Sequence, residues 1–361
     1  MPKPPTPVTV AGRPQLVYEL HITNFSREPL VLEQVDILDA DDERVLAELQ
    51  GEALNRRLGR PEMAPREAGP PTLAPHVRGV LYLEIELADN APPRALEHRI
   101  VYRVADPGAQ QPAVVQGART PVPPERPVVL TPPLRGGPWV AIYHPSWERG
   151  HRRVVYAVDG RARIPGRFAI DWVLLDADGR RADGDQDQVA NWYGYGADVL
   201  AVADGVVVAA RDDVAESATL SDHPRHPLED ATGNYVTLDL GGGRYAAYEH
   251  LKPGSVRVAV GEHVRRGQVI GSIGFTGHSM GPHLHFHVAG ANSPLGAEGL
   301  PFVLDEFTVL GSYDDFDALD NVPWTPLDEA DRARRSEELP APNTVVDFAT
   351  SPWSKPPPEP Q

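Results

Sequence analysis

Apolar and polar side chains alternate along much of the first third of the chain. Large apolar residues recur at even positions between 16 and 22 and at odd positions between 81 and 87. A period of two is typical of β-strands with one buried face. Asn24, Pro29 and the acidic residues 39–42 supply turns between such segments. The pattern predicts an antiparallel β-sandwich of immunoglobulin-like size over residues 1–124, serving as a spacer or interaction domain.

Short strand-like segments also fill residues 125–311. They follow a proline-dense stretch at 121–133, which we interpret as a linker. The clearest of them are residues 167–175, 198–210, 233–240 and 244–251. Past residue 311 the sequence becomes rich in proline and charge, which predicts a mostly disordered tail over 312–361. The whole chain is therefore predicted to be all-β, with two β domains and a tail.

The most informative alternation is Gly281-Pro-His-Leu-His-Phe-His287. Three histidines at every second position cannot share a helix face, but they fit one face of a strand. Imidazole is a common metal ligand and the readiest general base near neutral pH. The segment therefore predicts a chemical site on one strand face, formed by His283, His285 and His287.

Composition excludes several classes of function. The formal net charge of −17 argues against binding nucleic acid through a general electrostatic field. No apolar run among the 361 residues is long enough to cross a bilayer. The absence of cysteine excludes thiolate metal sites and cysteine nucleophiles. The first residues lack the apolar core of a signal peptide, so we expect either a cytosolic protein or a chain without its leader.

The predicted sandwich shows no catalytic constellation. His21, His76 and His98 are isolated in the sequence, and we interpret each as an ordinary surface or edge residue. The sequence does not identify a partner for this domain.

The second half of the chain resembles the lysostaphin-like zinc metallopeptidases, which are peptidoglycan-cleaving endopeptidases built on a duplicated hybrid motif. The matching segments occur in the order of the family over roughly residues 167–288. They are Ala169-Ile-Asp171-Trp, Tyr195-Gly-Ala-Asp-Val-Leu-Ala-Val-Ala-Asp-Gly205, Gly233-Asn-Tyr-Val, Tyr248-Glu-His250-Leu, Val260-Gly-Glu-His-Val-Arg-Arg-Gly267-Gln-Val-Ile-Gly271 and Gly281-Pro-His283-Leu-His285-Phe.

The resemblance implies roles for individual residues. Asp171 and His285 correspond to zinc ligands of the family, and His250 and His283 to its catalytic pair. Zinc held by three protein groups keeps a position for water and lowers the pKa of that water. A neutral histidine can take the water's proton, while a second can stabilise the oxyanion or protonate the leaving amine.

One ligand position departs from the family pattern. The residue four positions before Asp171 is Arg167, and a guanidinium group has no lone pair for a metal. Three explanations follow. His287 could supply the third ligand, or an upstream histidine, His144 or His151, could do so. Alternatively the metal is lost, and Arg167 forms an ion pair with Asp171 in its place.

The resemblance thus implies a zinc-dependent metalloendopeptidase that acts on peptidoglycan cross-links or another peptide substrate. It implies a location in the cell envelope or outside the cell. The alternative is a catalytically degenerate, metal-free domain that binds cell wall or regulates a partner.

Overall fold

The computed structural model describes residues 3–60, 69–88, 92–105, 111–148, 150–314 and 323–348. The chain divides into two compact units. The first contains Met1–Pro127 and Pro145–Arg153, and the second contains Val128–His144 and Val154–Gln361. The predicted boundary after residue 124 therefore misses one segment, because Pro145–Arg153 belongs to the first unit.

The first unit consists of two antiparallel sheets and one short helix, which confirms the all-β prediction. The elements are β1 (Val8–Val10), β2 (Arg13–Thr23), β3 (Leu30–Asp39), β4 (Val45–Gln50), α1 (Gly51–Arg57), β5 (Leu58–Gly59), β6 (Thr72–Leu73), β7 (Arg78–Glu86), β8 (Ala95–Val104), β9 (Ala113–Pro121) and a 3-10 turn at His151–Arg153. One sheet has the strand order β1-β2-β7-β5, and the other has the order β4-β3-β8-β9, with β6 beside β3. Apolar side chains from both sheets form one core, which includes Tyr18, Ile37, Leu83 and Leu96.

Arg152 explains why the segment Pro145–Arg153 belongs to the first unit. Its buried guanidinium group donates to a carboxylate oxygen of Glu19 at 2.9 Å and also pairs with Glu84. It donates further to the carbonyl oxygens of Tyr18 at 2.6 Å and Leu83 at 2.9 Å. A buried charge is tolerated only when it is paired in this way, so its partners on β2 and β7 fix the segment in place.

His98 is buried, not at the surface or edge as expected from the sequence. Its Nε2 lies 2.9 Å from the hydroxyl of Tyr18, and the pair is enclosed in the first unit. The sequence misleads here because an isolated histidine becomes acceptable in a core once a hydroxyl partner is present. Burial lowers the pKa of His98 to about 4.

We therefore expect acid to destabilise the protein through His98. The unfolded chain takes up a proton near pH 6.5 and the folded chain only near pH 4, so stability is complete above this window and falls as the pH drops through it. The free energy of unfolding should fall by about 3 kcal/mol between pH 7 and pH 4. Urea unfolding at several pH values measures this.

His98→Gln should remove this part of the pH dependence, because glutamine does not titrate. The control is His76→Asn, since His76 is exposed and asparagine tolerates its positive φ of 62°. Equal pH slopes in the wild type and His98→Gln would contradict the assignment.

The second unit is also built from strands. Its elements are β10 (Val128–Leu130), β11 (Gly136–Ile142), β12 (Tyr156–Val158), β13 (Arg161–Arg163), β14 (Ile170–Leu174), β15 (Asp198–Leu200), β16 (Gly205–Arg211), β17 (Asn234–Asp239), β18 (Tyr245–Leu251), β19 (His263–Val264), β20 (Val269–Ser272), β21 (Leu284–Ala289), β22 (Gly299–Leu300), β23 (Phe302–Leu304), β24 (Phe307–Ser312), β25 (Thr325–Pro326), β26 (Arg334–Arg335), β27 (Thr344–Phe348) and 3-10 turns at Pro165–Phe168, Val189–Asn191 and Leu228–Asp230.

Most of these strands form one antiparallel sheet in the order β19-β16-β17-β18-β21-β14-β11-β27-β24-β25. Strands β22 and β26 pair with β21 and β24, while β10-β23, β12-β13 and β15-β20 form separate pairs. Strand β21 lies between β18 and β14 in the large sheet. The aromatic ring of Phe286 on β21 packs against Tyr248 and Phe302, with ring centroids 5.2 Å apart in both cases. This packing fixes which face of β21 is turned to the core.

The C-terminal region corrects the prediction of a disordered tail from residue 312. Residues 323–348 are part of the second unit, and β27 pairs with both β11 and β24. Val345, Val346 and Phe348 are fully buried, so a short apolar strand completes the sheet within a proline-rich and charged sequence. The rest of the predicted tail, residues 315–322 and 349–361, lies outside the described residues. Over the described ranges, no helix is long and apolar enough to span a membrane.

Candidate metal centre

Three adjacent strands bring the candidate residues into one row. Asp171 on β14 is paired in register with His285 on β21, and His285 is paired with Glu249 on β18. Directly opposed residues on neighbouring strands project to the same side of a sheet. Asp171, His285 and Glu249 therefore lie side by side on one face, although they are far apart in sequence.

Asp171 links two of the histidines. Its Oδ1 lies 2.8 Å from Nδ1 of His285 and 3.4 Å from Nε2 of His283. Nδ1 of His283 lies 2.8 Å from the carbonyl oxygen of Gly281, which can only accept a hydrogen bond. His283 therefore carries a proton on Nδ1 and directs Nε2 towards Asp171.

A bulge in β18 brings His250 to the same site as Glu249. Val236 pairs with Tyr248 and Asn234 pairs with Leu251, so β18 has one more residue than β17 over this stretch. His250 adopts a φ of 64°, which alters the direction of its side chain. Its ring centroid lies 4.8 Å from that of His283 and 5.8 Å from that of His285. Simple alternation would have placed His250 and Glu249 on opposite faces.

A tightly packed turn fixes the tautomer of His250. Nδ1 of His250 lies 2.8 Å from the carbonyl oxygen of Thr276, so Nδ1 carries the proton and Nε2 has the lone pair. Gly277 follows with a φ of 75°, and a Cβ atom there would lie 2.4 Å from the backbone nitrogen of Gly233. Only glycine fits this conformation and this close approach.

Glu249 and His287 form the inner part of the site. Oε1 of Glu249 lies 3.7 Å from Nδ1 of His287, and their side chains are only 6% and 2% exposed. The ligand atoms of Glu249, His285 and His287 lie within 4.8 Å of one another. Oε1 of Glu249 receives no hydrogen bond from the described residues. Two imidazoles beside a buried carboxyl group, one oxygen of which lacks a donor, fit a divalent metal such as zinc.

The electrostatics of the cluster reflect burial and close approach. Burial, and then His283 and His285, lower the pKa of His250 well below its usual value. Burial alone would lower the pKa of His283, but the charge of Asp171 and the hydrogen bond to it raise that pKa overall. Burial, followed by the charge of Asp171, raises the pKa of Glu249 to about 8. Two acidic groups thus share a buried site with several imidazoles.

Arg167 has a structural partner. Its buried guanidinium group donates to Oε2 of Glu298 at 2.7 Å and to the carbonyl oxygen of Gly299 at 3.0 Å. The partners follow Arg167 by more than 130 residues, so no local pattern in the sequence predicts these contacts. The contacts join the 3-10 turn Pro165–Phe168 to the start of β22.

Replacing Arg167 should destabilise the second unit. Arg167→Met would leave the carboxylate of Glu298, only 14% exposed, without its closest cation, which should cost about 3 kcal/mol in the free energy of unfolding. Arg163 is the matched control, because it lies 3.5 Å from the same carboxylate but is 27% exposed. Arg163→Met should cost less than about 1 kcal/mol. Equal losses in urea unfolding would contradict a buried anchoring role for Arg167.

The two upstream histidines fall in different units. His144 closes the first segment of the second unit, just after β11. His151 begins the 3-10 turn of the first unit. The sequence missed Glu249 and Thr276 as site residues. The segment Tyr248-Glu-His250 was visible, but the bulge that turns both Glu249 and His250 to one site has no signature in the sequence.

Comparison with known proteins identifies part of the second unit. Residues 192–296 match the sequence profile of peptidase family M23. The match includes His250, His283, His285, His287 and Glu249, whereas Asp171 lies outside it. Strand pairing between β14 and β21 is what brings Asp171 to the matched region.

Two similar proteins come from Vibrio cholerae serotype O1. The chain is 32% identical over 158 residues to peptidoglycan DD-endopeptidase ShyA, covering 42% of this chain and 30% of that protein. It is 34% identical over 102 residues to peptidoglycan DD-endopeptidase ShyB, covering 28% of this chain and 20% of that protein. The chain thus spans less than a third of the length of either relative.

Among solved structures, the catalytic domain of the antimicrobial peptidase lysostaphin from Staphylococcus simulans is 21% identical. The alignment covers 46% of this chain and 88% of that domain, with a TM-score of 0.25. The sequence match is the firmer finding, and it lies on the strands that form the histidine cluster. Residues 192–296 of this chain are therefore a domain of peptidase family M23.

Proposed function

We propose that the second unit is a zinc-dependent metalloendopeptidase that hydrolyses peptide bonds in peptidoglycan cross-links. The observation that supports this most directly is the convergence of Asp171, His250, His283 and His285 on one buried face. The resemblance makes Asp171 and His285 the first two zinc ligands. The candidates for the third ligand are His287, His144 and His151, because Arg167 cannot bind a metal.

The chain's own residues prepare the site for hydrolysis. A zinc ion at His285 would supply an activated water and polarise the scissile carbonyl group. The hydrogen bond to Thr276 leaves Nε2 of His250 able to take a proton. The hydrogen bond to Gly281 likewise presents Nε2 of His283, which lies next to Asp171. Two imidazoles with fixed tautomers can thus accept a proton from water and pass one to the leaving amine.

The substrate class is proposed from the relatives. ShyA and ShyB are named as peptidoglycan DD-endopeptidases, and both match this chain at above 30% identity. A peptidase for that polymer would work in the cell envelope or outside the cell. A neutral or cationic peptide region is also the substrate that suits a protein with a net charge of −17.

The direct experiment measures metal and hydrolysis on the full chain. Protein prepared with zinc should contain about one zinc ion per chain by elemental analysis, as expected for a mononuclear catalytic site. It should release soluble peptide fragments from purified peptidoglycan, and a chelator should stop the reaction until zinc is restored. A zinc-free protein after zinc-supplemented preparation would contradict the proposal.

Arg167 supports a second candidate function, a metal-free domain that binds cell wall or regulates a partner. A positive charge stands where the related peptidases have a ligand, and it is paired with Glu298. The two candidates differ in their response to Arg167→His. If the parent chain binds no zinc and Arg167→His creates a zinc site, the metal-free function is favoured. If the parent chain already binds zinc, the metal-free function is excluded.

A further inference from the structure

We propose that His223 is a positioning residue for His250, because it holds the turn whose carbonyl group fixes the His250 ring. The inference rests on the proposed function and deepens it, since it adds to the same reaction a residue that is neither a metal ligand nor part of the catalytic pair. His223 lies in the loop of residues 212–232, between β16 and β17. The turn consists of residues 275–277, between β20 and β21.

The orientation of His250 depends on this turn. Nδ1 of His250 donates to the carbonyl oxygen of Thr276 at 2.8 Å, and both residues are buried. The backbone N–H of His250 donates to the carbonyl oxygen of Thr232, at the end of the loop, at 3.0 Å. A shift of the turn would therefore rotate the ring and move Nε2 of His250 relative to His283.

Two side chains of the loop bind the backbone of the turn. Nε2 of His223 lies 2.7 Å from the carbonyl oxygen of Gly277, which can only accept, so this nitrogen carries a proton and donates it. Oε2 of Glu216 accepts from the backbone N–H of Phe275 at 2.8 Å. The ring of His223 also packs on the ring of Phe275, with centroids 4.0 Å apart. The loop thus holds the turn on both sides of Thr276.

The loop has anchors of its own. The buried side chain of Asn234 accepts from the backbone N–H of Val214 at 2.9 Å and donates to its carbonyl oxygen at 2.8 Å. The carboxylate of Asp187 accepts from the backbone N–H of Ser221 at 2.8 Å and from its hydroxyl at 2.9 Å. The second anchor lies two residues before His223. A loop fixed at these points can hold the turn in one position.

Two substitutions separate the hydrogen bond of His223 from the packing of its ring. Nδ1 of His223 makes no hydrogen bond to the described residues, so Nε2 supplies the polar contact that is tested. His223→Phe keeps a ring to pack on Phe275 and removes the donor. His223→Gln removes the ring and keeps an amide donor near the position of Nε2. Positioning through the hydrogen bond makes His223→Phe the more harmful change, whereas a packing role alone makes His223→Gln the more harmful one.

The kinetic test uses the full chain loaded with zinc and a soluble cross-linked peptidoglycan fragment. His223→Phe should lower kcat by about 10- to 100-fold, because a small misplacement of a catalytic group costs up to that factor. KM should stay near the wild-type value, since the substitution acts on His250 and not on substrate binding. His223→Gln should restore most of kcat. A His223→Gln variant as impaired as His223→Phe would overturn the proposal.

A double-mutant cycle with His250→Asn tests whether His223 acts through His250. Once the ring of His250 is gone, His223 has no imidazole to position, so His223→Phe should cause no further loss of kcat. Additive losses would overturn the proposal. His226→Phe is the matched control. The ring of His226 lies beside that of His223, with centroids 5.1 Å apart, and its Nε2 makes no hydrogen bond within the described ranges. It should have the kcat of the wild type.

A second readout does not depend on activity. In NMR spectra, the Nδ1 proton of His250 should exchange slowly with water in the wild type and in His223→Gln, and faster in His223→Phe. Equal exchange rates in the three proteins would contradict the proposal. A wild-type protein that cleaves no peptidoglycan contradicts the proposed function itself, and the exchange rates then still decide whether His223 holds His250 in place.

Discussion

His285→Ala should leave the protein without tightly bound zinc and without detectable hydrolysis of peptidoglycan. The resemblance makes His285 a zinc ligand, and the residue lies beside Asp171 on one side and beside Glu249 and His287 on the other. Zinc affinity should fall by more than about 100-fold, because even an outer partner of a ligand is worth up to that factor. Zinc content after gel filtration and the release of peptidoglycan fragments are the two measurements.

The matched control for this substitution is His263→Ala. His263 is exposed on β19 and belongs to the same unit, so its loss tests whether removing any histidine has the same effect. It should retain both zinc and activity. A thermal unfolding curve of His285→Ala separates metal loss from global unfolding. If folded His285→Ala retains a full equivalent of zinc, the metal is bound elsewhere, and the proposed role of His285 as a zinc ligand is wrong.

His250→Asn should retain zinc while kcat falls by about 10²- to 10⁴-fold, the usual contribution of a group that transfers protons. Asparagine tolerates the positive φ of this position, and its amide can still donate to the carbonyl oxygen of Thr276. What it lacks is a nitrogen that can take up a proton. Because His250 is not assigned to the metal, elemental analysis should give the zinc content of the wild type.

His278→Asn provides the comparison for His250→Asn, since His278 is an exposed histidine on the adjoining loop. Its kcat should equal that of the wild type. Two results would revise the role of His250. Loss of zinc in His250→Asn would identify His250 as a metal ligand, and an unchanged kcat would show that His250 takes no part in proton transfer.

Much of the site could be predicted because the alternation typical of a β-strand is visible within a few consecutive residues. The alternation from Gly281 to His287 predicted a strand with histidines on one face, and β21 confirms the strand. The order of motifs along the chain predicted a peptidase domain, and the match to family M23 over residues 192–296 confirms it. Asp171 could be selected as a neighbour of His285 only through the resemblance, and their pairing in the structure brings the two together.

Other features depend on contacts that no local pattern encodes. The bulge that brings Glu249 and His250 to one site arises from the pairing of β18 with β17. Arg167 forms an ion pair with Glu298, more than 130 residues later in the sequence, and Arg152 forms one with Glu19 at a similar sequence separation. The strand Thr344–Phe348 lies between β11 and β24, and its pairing with both stabilises it. The proline-rich sequence around it therefore did not predict a strand.

The sequence by itself determined the all-β class, the face of β21 that presents its histidines, and the absence of a histidine ligand at position 167. These follow from periodicity and from the chemistry of single side chains. Only the tertiary structure decided that Glu249 lies beside those histidines together with Asp171. Both acidic groups lie beside His285 because three strands distant in sequence align in register, with Glu249 opposite His285 on β18 and Asp171 opposite it on β14.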